Sequence, residues 1–433
     1  MSPTPVDWCT VGLSLERMAP TSDPIQTAAA RAVVRDLRLI LAVQALRAFA
    51  YGFGVVVLGI ALDHAGFSPF EVTLVFTAML AGMAIASIVV GIAGDRVGRR
   101  RLYAGLLALM GVVGIVFAFA GSVWVLALVA LTGTMSTDAN ESGPITSLEQ
   151  AMIGQAPADS RVHVFGRYNA VAYLAGAVGS LAAGGPAFLK HVWHGAPTDQ
   201  RWLLVFPLVA AVCAVFALRL SSSMEADGDG RRERPLARSR ENVRKLSALF
   251  ATDAFAGGFV VSSFLVYWFG RRFGASQELM SIVLFASGLL QAGSSIVAAR
   301  VGARFGLLNT MVFSHLPSNL LLIAVPLMPA LTPAVFLLLI RFALSQMDVP
   351  TRQAYIASMV DPEERTAAAA FTNTSRYVAR PFGQLLGGVL WTNVAIGAPF
   401  VAAGSLKCAY DLALWRVFRK VPLPEAATPR RTA

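Results

Sequence analysis

Long apolar runs separated by short polar breaks repeat along this chain from about residue 37 to residue 418. A helix needs about 20 mostly apolar residues to cross the hydrocarbon core of a bilayer. By that measure twelve segments are predicted to span: 37–62, 72–92, 102–120, 124–145, 168–188 and 202–220, then 247–269, 278–299, 306–328, 334–357, 374–395 and 397–418. The longest internal polar stretch runs from Leu220 to Leu246 and contains MEADGDGRRERPLARSRENVRK. Its charges, Gly and Pro mark a solvated linker. The pattern predicts an all-α membrane protein with a tail over 1–36, a six-helix bundle over 37–220, a linker over 221–246, a second six-helix bundle over 247–418 and a tail over 419–433.

Composition narrows the function classes. Of 433 residues, 56% are hydrophobic and 14% charged, against about 25% charged in an average soluble domain. A soluble enzyme, a disordered regulator and a nucleic-acid-binding domain are excluded by the missing polar coat. The net charge of +11 is a topology signal, because most Lys and Arg lie between the apolar runs. With the N-terminus inside, the cytoplasmic segments hold Arg31, Arg35, Arg96, Arg99, Arg100, Arg101, Arg161, Arg167, the linker cluster, Arg300, Arg304, Arg352, Arg365, Arg376, Arg416, Arg419 and Lys420. The opposite side holds Lys190, Arg201, Arg271 and Arg272. This asymmetry predicts a multi-pass protein of the cytoplasmic membrane with both termini inside. The first thirty residues lack the apolar core of a signal peptide. Cys9, Cys213 and Cys408 show no CxxC spacing and the histidines no metal spacing, so neither cofactor nor metal is expected.

The two halves repeat each other. Arg47-Ala-Phe-Ala-Tyr-Gly-Phe53 corresponds to Asp253-Ala-Phe-Ala-Gly-Gly-Phe259, and Gly66-Phe-Ser68 to Gly274-Ala-Ser276. Glu149-Gln-Ala-Met-Ile153 answers Arg352-Gln-Ala-Tyr-Ile356, Arg167-Tyr168 answers Arg376-Tyr377, and Pro144 answers Pro350. Matches in one order, at an offset near 206, indicate a duplicated six-helix unit. Duplicated bundles place substrate near the midplane between repeats and work by rocking.

Between the second and third spans stands Gly91-Ile-Ala-Gly-Asp95-Arg96-Val-Gly98-Arg99-Arg100-Arg101. This resembles GxxxDRxGRR, the loop 2–3 signature of the major facilitator superfamily, and the resemblance covers about residues 35–420. Gly91 and Gly98 would allow close helix approach and a tight turn. Asp95 could accept hydrogen bonds at a helix N-terminus, where the dipole favours an anion. The resemblance implies that this neighbour is the eleventh span and that Gly91, Asp95, Arg96, Gly98, Arg99 and Arg100 form a conformational lock. In the second half, Ala299-Arg300-Val301-Gly302-Ala303-Arg304 has lost the acid. The GPxxGG pattern of proton-driven antiporters is met only loosely by Gly179-Ser180-Leu-Ala-Ala-Gly184-Gly185, with Gly383, Gly387 and Gly388 in the other half. Both read as small-residue helix packing.

Ionisable groups inside spans cost about 2.5–3.5 kcal/mol each at a helix centre, so they line a cavity or pair. The first span carries Arg47 and the seventh Asp253 at the matching place. Thr134, Asp138 and Glu141 stand at i, i+4 and i+7, with Asn140 between them, and Arg341, Ser345 and Asp348 share that spacing, with Gln346 alongside. Each triplet is predicted on one helix face. The family resemblance implies that spans 1, 4, 7 and 10 line a central cavity. Arg47, Asp138, Asn140, Glu141, Asp253, Arg341, Ser345, Gln346 and Asp348 are therefore the candidate substrate and proton-coupling residues, with Asp253 the favoured proton carrier. Arg47 is expected to pair with Asp138, Glu141 or Asp253. Lys407 and Asp411 read as a structural i, i+4 pair.

These features predict a secondary active transporter of a small solute, working by alternating access and driven by protons. By resemblance to efflux members, export is expected first. Uptake of an organic anion through Arg47 and Arg341 is the alternative, and a transporter-like sensor a further one. Expected partners are the solute, protons and membrane lipids, with a monomeric chain, no nucleic acid and no enzymatic activity.

Overall fold

The computed structural model describes residues 24–138, 143–153, 158–193, 200–221, 224, 239–360 and 364–421. The described regular structure is helical. The first half contains α1 (Pro24–His64), α2 (Pro69–Val97), α3 (Arg99–Phe119), α4 (Val123–Ala130), α5 (Pro144–Ile153), α6 (Ala158–Ala182), α7 (Gly185–Val192) and α8 (Val205–Leu218). The second contains α9 (Arg240–Gly258), α10 (Ser262–Phe273), α11 (Gln277–Phe305), α12 (Leu307–Ala324), α13 (Leu331–Ser345), α14 (Asp348–Met359), α15 (Arg365–Asn393) and α16 (Ala398–Phe418). Nine stretches among the described residues are long and apolar enough to cross a membrane. They correspond to every predicted span except the fourth, eleventh and twelfth. In α15 and α16 the helix is present, but charges such as Arg376, Arg380, Lys407 and Asp411 lower its hydropathy.

The fourth span is a correction. Its helix stops at Ala130, and residues 131–138 run as turns and bends before α5 starts at Pro144. The cause is local. Gly133 takes φ +69, and the Ser136 hydroxyl donates to the Asp138 carbonyl and accepts from the Asp138 N–H. Such a bonded turn competes with a helix. The tenth span also breaks, but later and more briefly, since α13 runs to Ser345 and α14 opens at Asp348. Neither predicted triplet therefore lies along one continuous helix.

The duplication is visible in the turns and crossings. Gly66 (φ +77) and Gly274 (φ +65) each end a hairpin between spans. Two residues on, Ser68 and Ser276 cap α2 and α11, accepting from the N–H of Glu71 and Leu279. A side chain on Gly179 would collide with the Phe49 carbonyl, and one on Gly383 with that of Phe255. These glycines let α6 cross α1, and α15 cross α9, at backbone contact. Gly98 (φ +93) makes the turn between α2 and α3 as expected, whereas Gly91 has open space around it, so close approach is not its role. In the second half the turn glycine is Gly306 (φ +85), after α11 has run through Gly302.

Across the middle, α2 packs on α15, α6 on α11 and α1 on α10. These contacts join the halves at the end where α1 and α10 finish, called here the far end.

Candidate functional site

Buried charges fall into three groups. The first lies wholly within the first half. Arg47 on α1 is 2% exposed and pairs at 2.5 Å with Glu149 on α5, which is 0% exposed. Tyr103 of α3 donates to Glu149 Oε1 at 2.8 Å, and Tyr168 of α6 donates to Oε2 at 2.5 Å. Arg47 also donates to Gln44 and stacks 5.4 Å from the Tyr51 ring centre. The Tyr51 hydroxyl in turn donates to the Thr134 carbonyl at 2.8 Å. Arg47 therefore pairs with Glu149, not with Asp138 or Asp253 as expected. The ion pair and the hydrogen bonds to Gln44, Tyr103 and Tyr168 make such burial tolerable, although Arg47 Nε itself has no hydrogen-bond partner.

The second group lies within the second half. Lys407 of α16 donates to Asp253 of α9 at 2.6 Å, Arg352 of α14 stands 3.6 Å from the same carboxylate, and Arg376 of α15 stands 4.0 Å from it. Arg352 also bonds Asp348 at 2.9 Å. Asp411 contacts His315 of α12 at 3.0 Å and accepts from Asn319 at 2.9 Å. The expected Lys407–Asp411 pair is thus replaced by two separate partnerships. The two halves invert each other's charge: Arg47–Glu149 in one corresponds to Asp253–Arg352 in the other.

The third group joins the halves. Asp138, within the break in the fourth span, accepts from Arg380 of α15 at 2.5 Å and from the Ser262 N–H at 2.9 Å. Beside it the Thr137 carbonyl accepts from the Ser263 N–H at 3.0 Å. Asp138 and Arg380 keep 21% and 24% exposure. Arg341 of α13 faces Asp138 electrostatically, and its Nε is buried without a hydrogen-bond partner. Gln346 donates to Gln291 of α11 at 2.9 Å. Towards the far end, Arg271 pairs with Asp63 at 2.6 Å, and the Tyr267 hydroxyl donates to the Phe67 carbonyl at 3.2 Å.

Of the predicted site residues, the structure places Asp253 and Asp348 in one network through Arg352, while Asp138 and Arg341 interact electrostatically without an ion pair. Ser345 bonds locally to the Phe342 carbonyl at 3.4 Å. Asn140 and Glu141 lie outside the described residues, as do the side chains of Asp95 and Arg96. Arg99 reaches the Ala151 carbonyl at 3.5 Å, and Arg100 Nε is buried without a hydrogen-bond partner. Glu149, Arg352, Arg376, Arg380 and Ser262 were not foreseen as site residues. A signal existed for two of them: Glu149 and Arg352 are repeat mates of opposite charge, as are Arg47 and Asp253.

A family model described as Major Facilitator Superfamily matches residues 40–345 and 246–433. A curated relative from Saccharomyces cerevisiae, the uncharacterized membrane protein YJR124C, is 28% identical over 421 residues, covering 89% of this chain and 94% of its own. Among solved structures, a bacterial homologue of the human lysosomal transporter Spinster, inward-facing and occupied, has a TM-score of 0.67 at 17% identity, covering 92% of this chain and 99% of that one. The xylose transporter XylE from E. coli, inward open, gives 0.67 at 14% identity, with 90% and 97% covered. The nucleoside transporter NupG gives 0.65 at 15%, with 89% and 98% covered. At these identities the structural likeness establishes the fold.

Proposed function

Because the chain belongs to the major facilitator superfamily, we propose that this transporter of small solutes is proton-coupled and works by alternating access, with Asp138 as the coupling acid. The supporting observation is that Asp138 is held by Arg380 and Ser262 of the opposite half. Coupling requires protonation to differ between the two open states, so the acid must change partners when the halves rock. All the cations around Asp253 ride on its own half, which makes it a weaker choice than it was in the sequence. The two within-half networks act as the rigid cores of the rocking bodies. The contacts from Asp138 to Arg271 close the far end, and the state facing the termini is the open one. The same charge bias that predicts cytoplasmic termini supports a cytoplasmic-membrane location.

The test begins with purified protein. Compounds that stabilise it thermally are binding candidates, since stabilisation follows RT ln(1 + [L]/Kd). Each is then followed in proteoliposomes under a pH gradient. Accumulation that Asp138→Asn abolishes, with exchange down the substrate's own gradient retained, supports the reading. Full gradient-driven accumulation in Asp138→Asn contradicts it. Export moves the substrate opposite to protons, and uptake moves it with them.

A further inference from the structure

Resting on the reading of the chain as an alternating-access transporter, we propose that the second half carries a receptor for a small carboxylate anion, which Asp138 of the first half fills as a tethered occupant. Two groups of the second half hold this one carboxylate, and a third acts on it electrostatically. Arg380 holds Oδ2 and the N–H of Ser262 holds Oδ1, and Arg341 of α13 adds its positive field. Ser262 is the first residue of the twelve-residue helix α10, whose N-terminal dipole favours an anion. One guanidinium edge and one backbone donor, each on a different oxygen, match a planar carboxylate.

Charge balance points the same way. Among the described interior residues of the second half, Asp253, Asp348 and Asp411 take Lys407, Arg352, Arg376 and His315 as partners. Arg380 pairs with Asp138 across the halves. Arg341 has no ion-pair partner within range among the described residues, and its Nε is unpartnered. A guanidinium left without an anion inside a membrane bundle is costly, and a bound anion would relieve that cost.

The exchange has a direction. A substrate carboxylate that takes Arg380 and Ser262 releases Asp138, which stays with the first half. The halves can then part at the far end with the anion held on the second. Displacement takes the Asp138 carboxylate off its Arg380 partner, which links anion binding to the proton step proposed above and has anion and proton move together. This favours uptake of an organic anion over the export expected from sequence.

The experiment uses acetate, succinate and inorganic phosphate as probes on the purified full-length chain, with sodium chloride at equal ionic strength as the reference. Asp138→Ala empties the receptor, so acetate and succinate should stabilise it thermally beyond sodium chloride, with affinity about tenfold or more above wild type. Adding Arg380→Gln to Asp138→Ala should remove that gain. Arg341→Gln, which breaks no described ion pair, should weaken acetate binding about tenfold in the otherwise wild-type chain and provides a reading should Asp138→Ala not fold. Equal responses to acetate, succinate and chloride in all these proteins overturn the receptor, and so does stabilisation by phosphate but not by carboxylates. Proton-driven movement of a neutral or cationic compound would overturn the anion class while leaving the transport reading intact. Carboxylate binding without any gradient-driven transport would do the reverse.

Discussion

Among the described residues, Glu149 has one cation, Arg47, and two tyrosine hydroxyls around it, all buried. Removing one member of such a pair leaves an uncompensated charge and costs about 3–5 kcal/mol. Arg47→Ala should therefore lower the melting temperature and folded yield sharply. Arg47→Leu with Glu149→Leu should recover most of the loss, while Arg47→Ala with Asp138→Ala should not. Recovery through Asp138 instead would mean that the pairing is misassigned. Arg47 was legible as a functional charge because an arginine within an apolar run stands out. Its partner was not, because Glu149 lies beyond the predicted end of the fourth span and meets Arg47 only through the fold. The same limit hid Arg380, whose partner Asp138 is 242 residues away in sequence.

The helices that the apolar runs predicted are largely those observed, and the duplicated pattern anticipated the matching turns at Gly66 and Gly274. The helical-face reading of Thr134, Asp138 and Glu141 failed because spacing carries no information about a bonded turn at Ser136. Small-residue crossings were legible as packing, but not which glycines touch. Gly383→Leu would drive a side chain into the Phe255 carbonyl, so folded yield should fall steeply, and Gly179→Leu should do the same against Phe49. Gly91→Leu meets open space and should leave folded yield near wild type. Size-exclusion profiles of the three variants decide this, and a Gly179→Leu or Gly383→Leu variant with a wild-type profile would contradict the crossing geometry.

At the scale of the molecule, two bodies, each with a buried charge network of its own, meet through contacts that run from Asp138–Arg380 to Asp63–Arg271. Breaking an ion pair present in one state should shift the population toward the other. Double electron–electron resonance between spin labels at His64 and Arg272, in a background lacking Cys9, Cys213 and Cys408, reports the far end directly. Both label sites are exposed, one at the end of α1 and the other near the end of α10. In liposomes the otherwise unsubstituted protein should give a short-distance population, and Arg380→Gln should transfer a large part of it to a longer distance, as the far end opens. One short distance, the same in both proteins and unmoved by pH, would contradict alternating access gated by Asp138 and Arg380.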